Sequence, residues 1–445
     1  MKVSIRVTGQ QSILLFFSIL STLFLAIVVS VCDYSITKYI FAALVVLVYL
    51  LTLPKRLMNP KNVVFFFYFM WYVLAPIFGS RYDEERVIPY WDKANIAFLM
   101  CYVVYVTAMV TLDLSLGRID RSEPLRDNIP KQTSITRCIT MLLLFSGMYF
   151  FIQHSGGLSL WLSNAYAAQF NRRGSGQYFL VYSMAFVVLA FFAGQDKNKK
   201  KVLRNRIIFV VFIMLNFELL GSKLTVITLF MLLFADMLIK SDLFSKWTIL
   251  LGVSGVVVFI AGLIVRLGSF QFAMSYALNY FDTFENLGTL MKDYSAGFLT
   301  TFIMPFLWPF IKLGLVNQEF YDFSVWLTTQ YTPDTWYIGQ GSNQWNIESD
   351  MYLNYYFFGG IPLIILYFVI IAFLYKKART TGGVWKLIYI YEATLIISHL
   401  RGGIFIFWYW YLIPLYIWLI IRYAPDSKIK IKTNRTCIMW KRAED

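Results

Sequence analysis

Five basic residues stand where a helical membrane chain tends to exclude them. Arg172 and Arg173, Lys223, Arg266 and Arg401 fall at or just past the ends of apolar segments, on the side otherwise poor in Lys and Arg. Arg266 closes span-like residues 263–265 in VRLGS. Lys223 and Arg401 sit in tight turns, Gly221-Ser222-Lys223 and His399-Leu400-Arg401-Gly402-Gly403. Arginine presents a planar fork of donors matched to phosphate oxygens, and lysine a compact charge. Such a set suits a pyrophosphate held at the outer membrane surface. Snorkelling to the headgroups is the simpler reading of any one of them alone.

Two carboxylates come next. Glu348 and Asp350 precede an apolar stretch that begins at Met351, which places both at the outer surface, at a helix entrance. Either can cap that helix, or take a proton from a sugar hydroxyl as general base. His399, two residues before Arg401, is a third candidate base, a phosphate donor, or a packed polar residue. Asp282 and Glu285 lie close to Arg266 and can pair with it or bind carbohydrate. Trp336 and Trp345, with Tyr331 and Tyr337 nearby, suit stacking on sugar faces, although aromatics are common at any membrane interface. His154 reads as a loop residue. Glu218 and Glu392 lie within apolar stretches, where an ionisable group needs a cavity or a partner.

These residues must be positioned by membrane helices. The 445 residues are 58% hydrophobic, 19% aromatic and only 15% charged, against roughly 25% charge for soluble domains. Repeated apolar runs are long enough to cross hydrocarbon of about 30 Å. Twelve helices are expected near 12–32, 37–53, 62–80, 95–112, 137–153, 178–194, 207–221, 223–239, 247–265, 351–375, 386–400 and 404–421. The first reads as a span and not as an excised signal peptide. The whole chain, 1–445, reads as a single all-α polytopic membrane domain.

The net charge of +15 concentrates in short loops, notably 197–206, 376–386 and the basic tail 422–445. By the positive-inside rule these loops and both termini face the cytoplasm, so the charge reports topology and not nucleic acid. The outer side then holds a first loop, 154–177, and a large loop, 266–350, between helices nine and ten. Residues 298–315 are apolar enough to cross, but a crossing would put the basic 376–386 loop outside, and Pro305 and Pro309 break a straight helix. That segment is expected to lie in the interface or re-enter from outside. Cys32, Cys101, Cys138 and Cys437 form no CxxC, which indicates neither a disulfide framework nor a metal cluster. No Gly-rich phosphate loop or cofactor signature is present.

The chain resembles the Wzy-type O-antigen (oligosaccharide repeat-unit) polymerases over most of its length. The resemblance rests on the span count, cytoplasmic termini, arginine-bearing outer loops, Phe284-Glu285-Asn286-Leu287, Pro305 with Leu307-Trp308-Pro309, and the run 349–360. The last run is also similar to that of the O-antigen ligases, which place a His before a Leu and glycines. Here Glu348, Ser349 and Asp350 occupy that neighbourhood, a departure that favours polymerase over ligase. The resemblance implies a GT-C-like, metal-independent and inverting glycosyltransferase in the bacterial inner membrane, with its site on the periplasmic side. It implies transfer of a growing glycan from undecaprenyl pyrophosphate to the non-reducing end of a new undecaprenyl-pyrophosphate-linked repeat unit. It further implies a chain-length regulator, a polysaccharide co-polymerase, as partner. The alternatives are a flippase for the lipid-linked oligosaccharide, which would show paired halves and broken helices, and an O-antigen ligase.

Overall fold

The computed structural model describes residues 8–78, 91–117, 134–164, 174–196, 198–220, 223–246, 268–280, 284–298, 300–304, 323–337 and 345–403, with a few single residues between them. The chain forms two compact units, Met1–Asn128 with Phe234–Leu412, and Ile129–Leu233 with Ile413–Asp445. In chain order, α1 (Gly9–Val31), α2 (Tyr34–Leu51), α3 (Pro60–Tyr68) and α4 (Trp91–Leu116) begin the first unit. The second holds α5 (Ser134–His154), α6 (Gly157–Ser163), α7 (Gly176–Ala193), α8 (Lys199–Leu215) and α9 (Lys223–Leu233). The first unit resumes with α10 (Ala235–Lys240), α11 (Phe270–Tyr280), α12 (Phe284–Asp293), α13 (Phe323–Tyr331), α14 (Pro333–Tyr337), α15 (Ile347–Tyr355), α16 (Ile361–Thr380) and α17 (Val384–Gly402). No strand forms among the described residues.

The all-helical content follows from the composition: in hydrocarbon each backbone N–H and C=O must be satisfied within its own segment. Among the described residues, seven helices are long and apolar enough to cross a membrane: α1, α2, Pro60–Phe78, Asn95–Leu116, Thr136–His154, α7 and Phe358–Thr380. The protein is thus a helical, membrane-embedded chain. Of the other expected spans, 207–221 and 223–239 fall on α8, α9 and α10. The span at 386–400 falls on α17, which carries Lys386, Glu392 and Arg401. The span 404–421 and the tail 422–445 lie outside the described residues, as does most of 247–265.

Helix starts obey local chemistry. Thr8 and Gln11 form a reciprocal capping box at α1. Asn59 caps α3 through the Lys61 N–H at 3.0 Å, with Pro60 in the first turn, where its missing N–H costs nothing. After Tyr68 the helix widens into a π segment, Phe69–Leu74, then closes with one turn, Ala75–Phe78. In the second unit α5 and α7 pack closely at Gly147. There a Cβ would stand 2.8 Å from the Tyr182 nitrogen, so only glycine permits the approach.

One end of the first unit is tied together by polar contacts. Lys61 pairs with Asp113 at 2.8 Å and donates to the Thr52 carbonyl. Arg56 pairs with Asp242 at 2.9 Å, and Lys386 with Asp236. Arg379 donates to the Ile239 carbonyl, and the Tyr389 hydroxyl to the Met58 carbonyl. Residues 52–61, 113, 236–243 and 379–389 therefore share one end. These are segments that the charge pattern assigns to a common face. Within that segment only a short 3-10 turn, Thr300–Ile303, and single residues are described.

The expected single helix over 351–375 is interrupted. Tyr356 and Phe357 adopt φ of 50° and 61°, a left-handed conformation that side chains disfavour. The chain then runs through a 3-10 turn, Phe358–Gly360, into α16. The Tyr356 N–H donates to the Gly297 carbonyl at 2.9 Å, and Gly297 N–H to the Tyr352 carbonyl at 3.2 Å. These tertiary hydrogen bonds hold the break, and hydropathy cannot register them.

Candidate functional site

The buried centre of the first unit is α15. Ile347, Glu348, Ser349, Asp350, Met351, Leu353 and Asn354 are all buried, an unusual density of polar groups. The helix is capped by Asn346, whose Oδ1 accepts from the Ser349 N–H at 3.1 Å, so neither acid serves as the cap. Glu348 is 0% exposed. Its two oxygens accept from the hydroxyls of Tyr68 at 2.6 Å and Tyr72 at 3.0 Å. Tyr68 and Tyr72 stand four residues apart at the start of the π segment, which turns both toward the same carboxyl. Such π insertions often mark functional positions.

Asp350 follows on the next face. Its Oδ1 accepts from Asn354 Nδ2 at 2.8 Å, and Asn354 Oδ1 in turn accepts from Thr301 Oγ1. Its Oδ2 lies against the end of α17: a Cβ on Gly403 would meet it at 2.8 Å and the Phe323 ring at 3.0 Å. With φ of +99°, Gly403 is required on both counts. The same helix end carries Arg401, whose guanidinium sits 5.9 Å from the Trp71 ring centre. Trp71 is itself stacked on Phe67 at 4.6 Å. His399, 1% exposed, shares a hydrogen bond of 2.8 Å between its Nδ1 and the Tyr367 hydroxyl.

The burial of this cluster within the protein was not legible in the sequence. Glu348 and Asp350 were expected at the outer surface. Counting 1.5 Å per residue along α3 from Lys61, the Tyr68–Tyr72 pair stands about 10–16 Å above the Lys61–Asp113 level. Along α17, Arg401 stands about 22 Å above Lys386. Both carboxylates are enclosed by the protein, Glu348 at 0% and Asp350 at 6% exposure. The reason is that α15 is a short helix that dips into the bundle before the chain breaks at Tyr356.

The structure therefore brings together Glu348, Asp350, His399 and Arg401 from the expected set. Trp345 is buried and packed on Tyr331 at 5.3 Å, and Trp336 is also buried. Tyr331 donates to Asp293 at 2.8 Å. Burial, and then the neighbouring Asp293, raise its pKa. Both tryptophans are thus core of the α12–α14 cap. Arg172, Arg173, Arg266 and Asp282 lie outside the described residues. Lys223 and Glu285 fall on α9 and α12, with side chains outside them, as is that of Glu218. Glu392 is buried on α17. His154 is exposed at the end of α5, its Nδ1 3.0 Å from the Phe150 carbonyl oxygen.

Sequence reasoning missed Tyr68, Trp71, Tyr72, Asn354, Tyr367 and Gly403. The signal available for the first three was a Tyr-x-x-Trp-Tyr run inside an apolar helix, with polar tips four residues apart that need buried partners. No family model, curated protein or solved structure matches the chain.

Proposed function

We propose that the chain is a membrane glycosyltransferase that polymerises lipid-linked oligosaccharide repeat units, as its resemblance to the Wzy-type polymerases implies. The observation that supports it is the meeting of Asp350 with the Arg401-bearing end of α17 inside an apolar helical unit. In this reading Asp350 is the general base. It takes the proton of the acceptor hydroxyl as that oxygen attacks the anomeric carbon of the growing glycan. The bond from the anomeric carbon to pyrophosphate breaks, its electron pair leaves with the pyrophosphate, and the anomeric centre inverts. Arg401 stabilises the charge that develops on that leaving group.

Glu348 is assigned a positioning role, because both its oxygens are occupied by Tyr68 and Tyr72 and it has no exposure. The Tyr367 bond orients His399 behind Arg401. The reading places the protein in a bacterial inner membrane, opening to the periplasmic side and working with a chain-length regulator.

Deleting the gene in its host and resolving the surface glycan on a gel tests it. Lipid A-core carrying a single repeat unit without a ladder is the expected result. Loss of even the single unit would reassign the chain to lipid-linked oligosaccharide export or to ligation.

A further inference from the structure

The second unit carries a short helix that the proposed reaction does not use. α6 follows α5 after Ser155 and Gly156, and the glycines of that turn hold positive φ, 108° at Gly156 and 81° at Gly157. A Cβ on Gly156 would stand 2.4 Å from the Leu160 side chain, so the turn calls for glycine on both counts. The Trp161 Nε1–H donates to the Ser155 hydroxyl at 2.8 Å, and that hydroxyl donates to the Phe151 carbonyl at 2.6 Å. Phe151, Trp161 and Ala168 form one buried cluster. These contacts fix α6 to the end of α5.

At about 100° per residue, α6 presents three edges. Leu160 and Trp161 turn toward the buried cluster. Leu158 and Leu162, one turn apart, form an apolar edge that is 55% and 79% exposed. Ser159 and Ser163, also one turn apart, form an exposed polar edge beside it. An apolar edge flanking a polar one on the exposed side is the arrangement of a helix lying along the boundary between hydrocarbon and water.

The neighbouring helices say what covers the leucines. α5 contains a candidate membrane span, Thr136–His154. Exposed apolar side chains run along it, with Leu142 at 65%, Phe145 at 52% and Tyr149 at 59%, and continue past its end to Leu158 and Leu162. The His154 ring lies 4.5 Å from that of Tyr178, near the start of α7, and the other end of α7 leads into the basic segment 197–206. By the positive-inside rule α6 therefore lies on the outer side. The segment 155–170 contains no charged residue, so no side chain in it opposes contact with lipid.

We propose that α6 is an interfacial anchor, with Leu158 and Leu162 among the acyl chains of the outer leaflet, just below the headgroups, and Ser159 and Ser163 facing water. Its partner is the lipid surface. The anchor fixes the height at which the first outer loop leaves the membrane, and it stands independently of the polymerase reading.

An environment-sensitive fluorescent amino acid is placed in turn at Leu162, Ser163 and Phe145 of the full chain in phosphatidylcholine nanodiscs. Three quenchers are compared: aqueous iodide, and lipids carrying a nitroxide either near the headgroup or at the chain end. The fluorophore at position 162 is expected to lose most intensity to the shallow nitroxide and little to iodide. At 163 iodide quenches most, and at 145, in the middle of α5, the chain-end nitroxide does. Position 158 repeats the measurement if the variant at 162 does not fold. Iodide quenching at 162 equal to that at 163 would place the leucines in water and overturn the proposal. Protection from all three quenchers would mean that protein covers them, a second copy included, and overturns it equally. Strongest quenching by the chain-end nitroxide would make α6 a continuation of the span and not an interfacial helix.

Discussion

At the scale of single residues, the two carboxylates of α15 are chemically unequal. Glu348 is fully buried between two phenols, whereas Asp350 faces the end of α17. On the proposed reaction, in which Asp350 is the general base, Asp350→Asn should lower polymerisation by about 10²–10⁴-fold, the usual worth of such a base, with protein levels unchanged on an immunoblot. Glu348→Gln can keep one tyrosine bond and should retain activity within about tenfold. Equal loss in both variants would remove the distinction. Tyr68→Phe leaves a buried carboxyl oxygen without its donor, at about 1–3 kcal/mol, and should lower the melting temperature in detergent more than it lowers turnover. On the proposed reaction, Arg401→Ala should abolish the ladder, because Arg401 is the cation assigned to the leaving pyrophosphate.

At the scale of elements, the break between α15 and α16 decides where the acids sit. Tyr356 and Phe357 hold consecutive positive φ values without being glycine, at a cost on the order of 1–3 kcal/mol each. Tyr356→Gly should therefore raise the melting temperature. It should also lower activity if the strained turn is what keeps α15 in place, and a variant that gains stability with full activity would show the strain to be incidental. The Lys386–Asp236 pair is mostly buried on the lysine side, 4% against 24% exposed. Removing one member of a buried pair strands the other, at about 3–5 kcal/mol. Lys386→Met should thus be strongly destabilising, and a second change, Asp236→Leu, should restore much of the loss in a thermal melt.

At the scale of the whole molecule, sidedness is the property that amino-acid composition fixes most firmly. Residues 52–61 and 379–389 share one end of the first unit. Single cysteines at Lys55 and Thr381 should label from the same face with a membrane-impermeant thiol reagent, and Cys32, at the far end of α1, from the other. Opposite labelling of Lys55 and Thr381 would mean that 298–315 crosses after all. Helical class and membrane embedding were legible in the sequence alone, as was the common end of 52–61 and 379–389 in the first unit. They depend on hydropathy, on backbone satisfaction in hydrocarbon and on charge asymmetry, all sums over many residues. That 346–354 and Arg401 carry unusual polar groups was also legible, since charged groups beside apolar runs are costly wherever they lie. Burial was not. Only the tertiary structure brought Tyr68 and Tyr72 onto a carboxyl some 280 positions away and replaced an acidic cap by Asn346. Only the tertiary structure broke the last long helix at Tyr356. Each of those outcomes depends on hydrogen bonds between segments remote in sequence, and no local pattern of charge or hydropathy encodes such bonds.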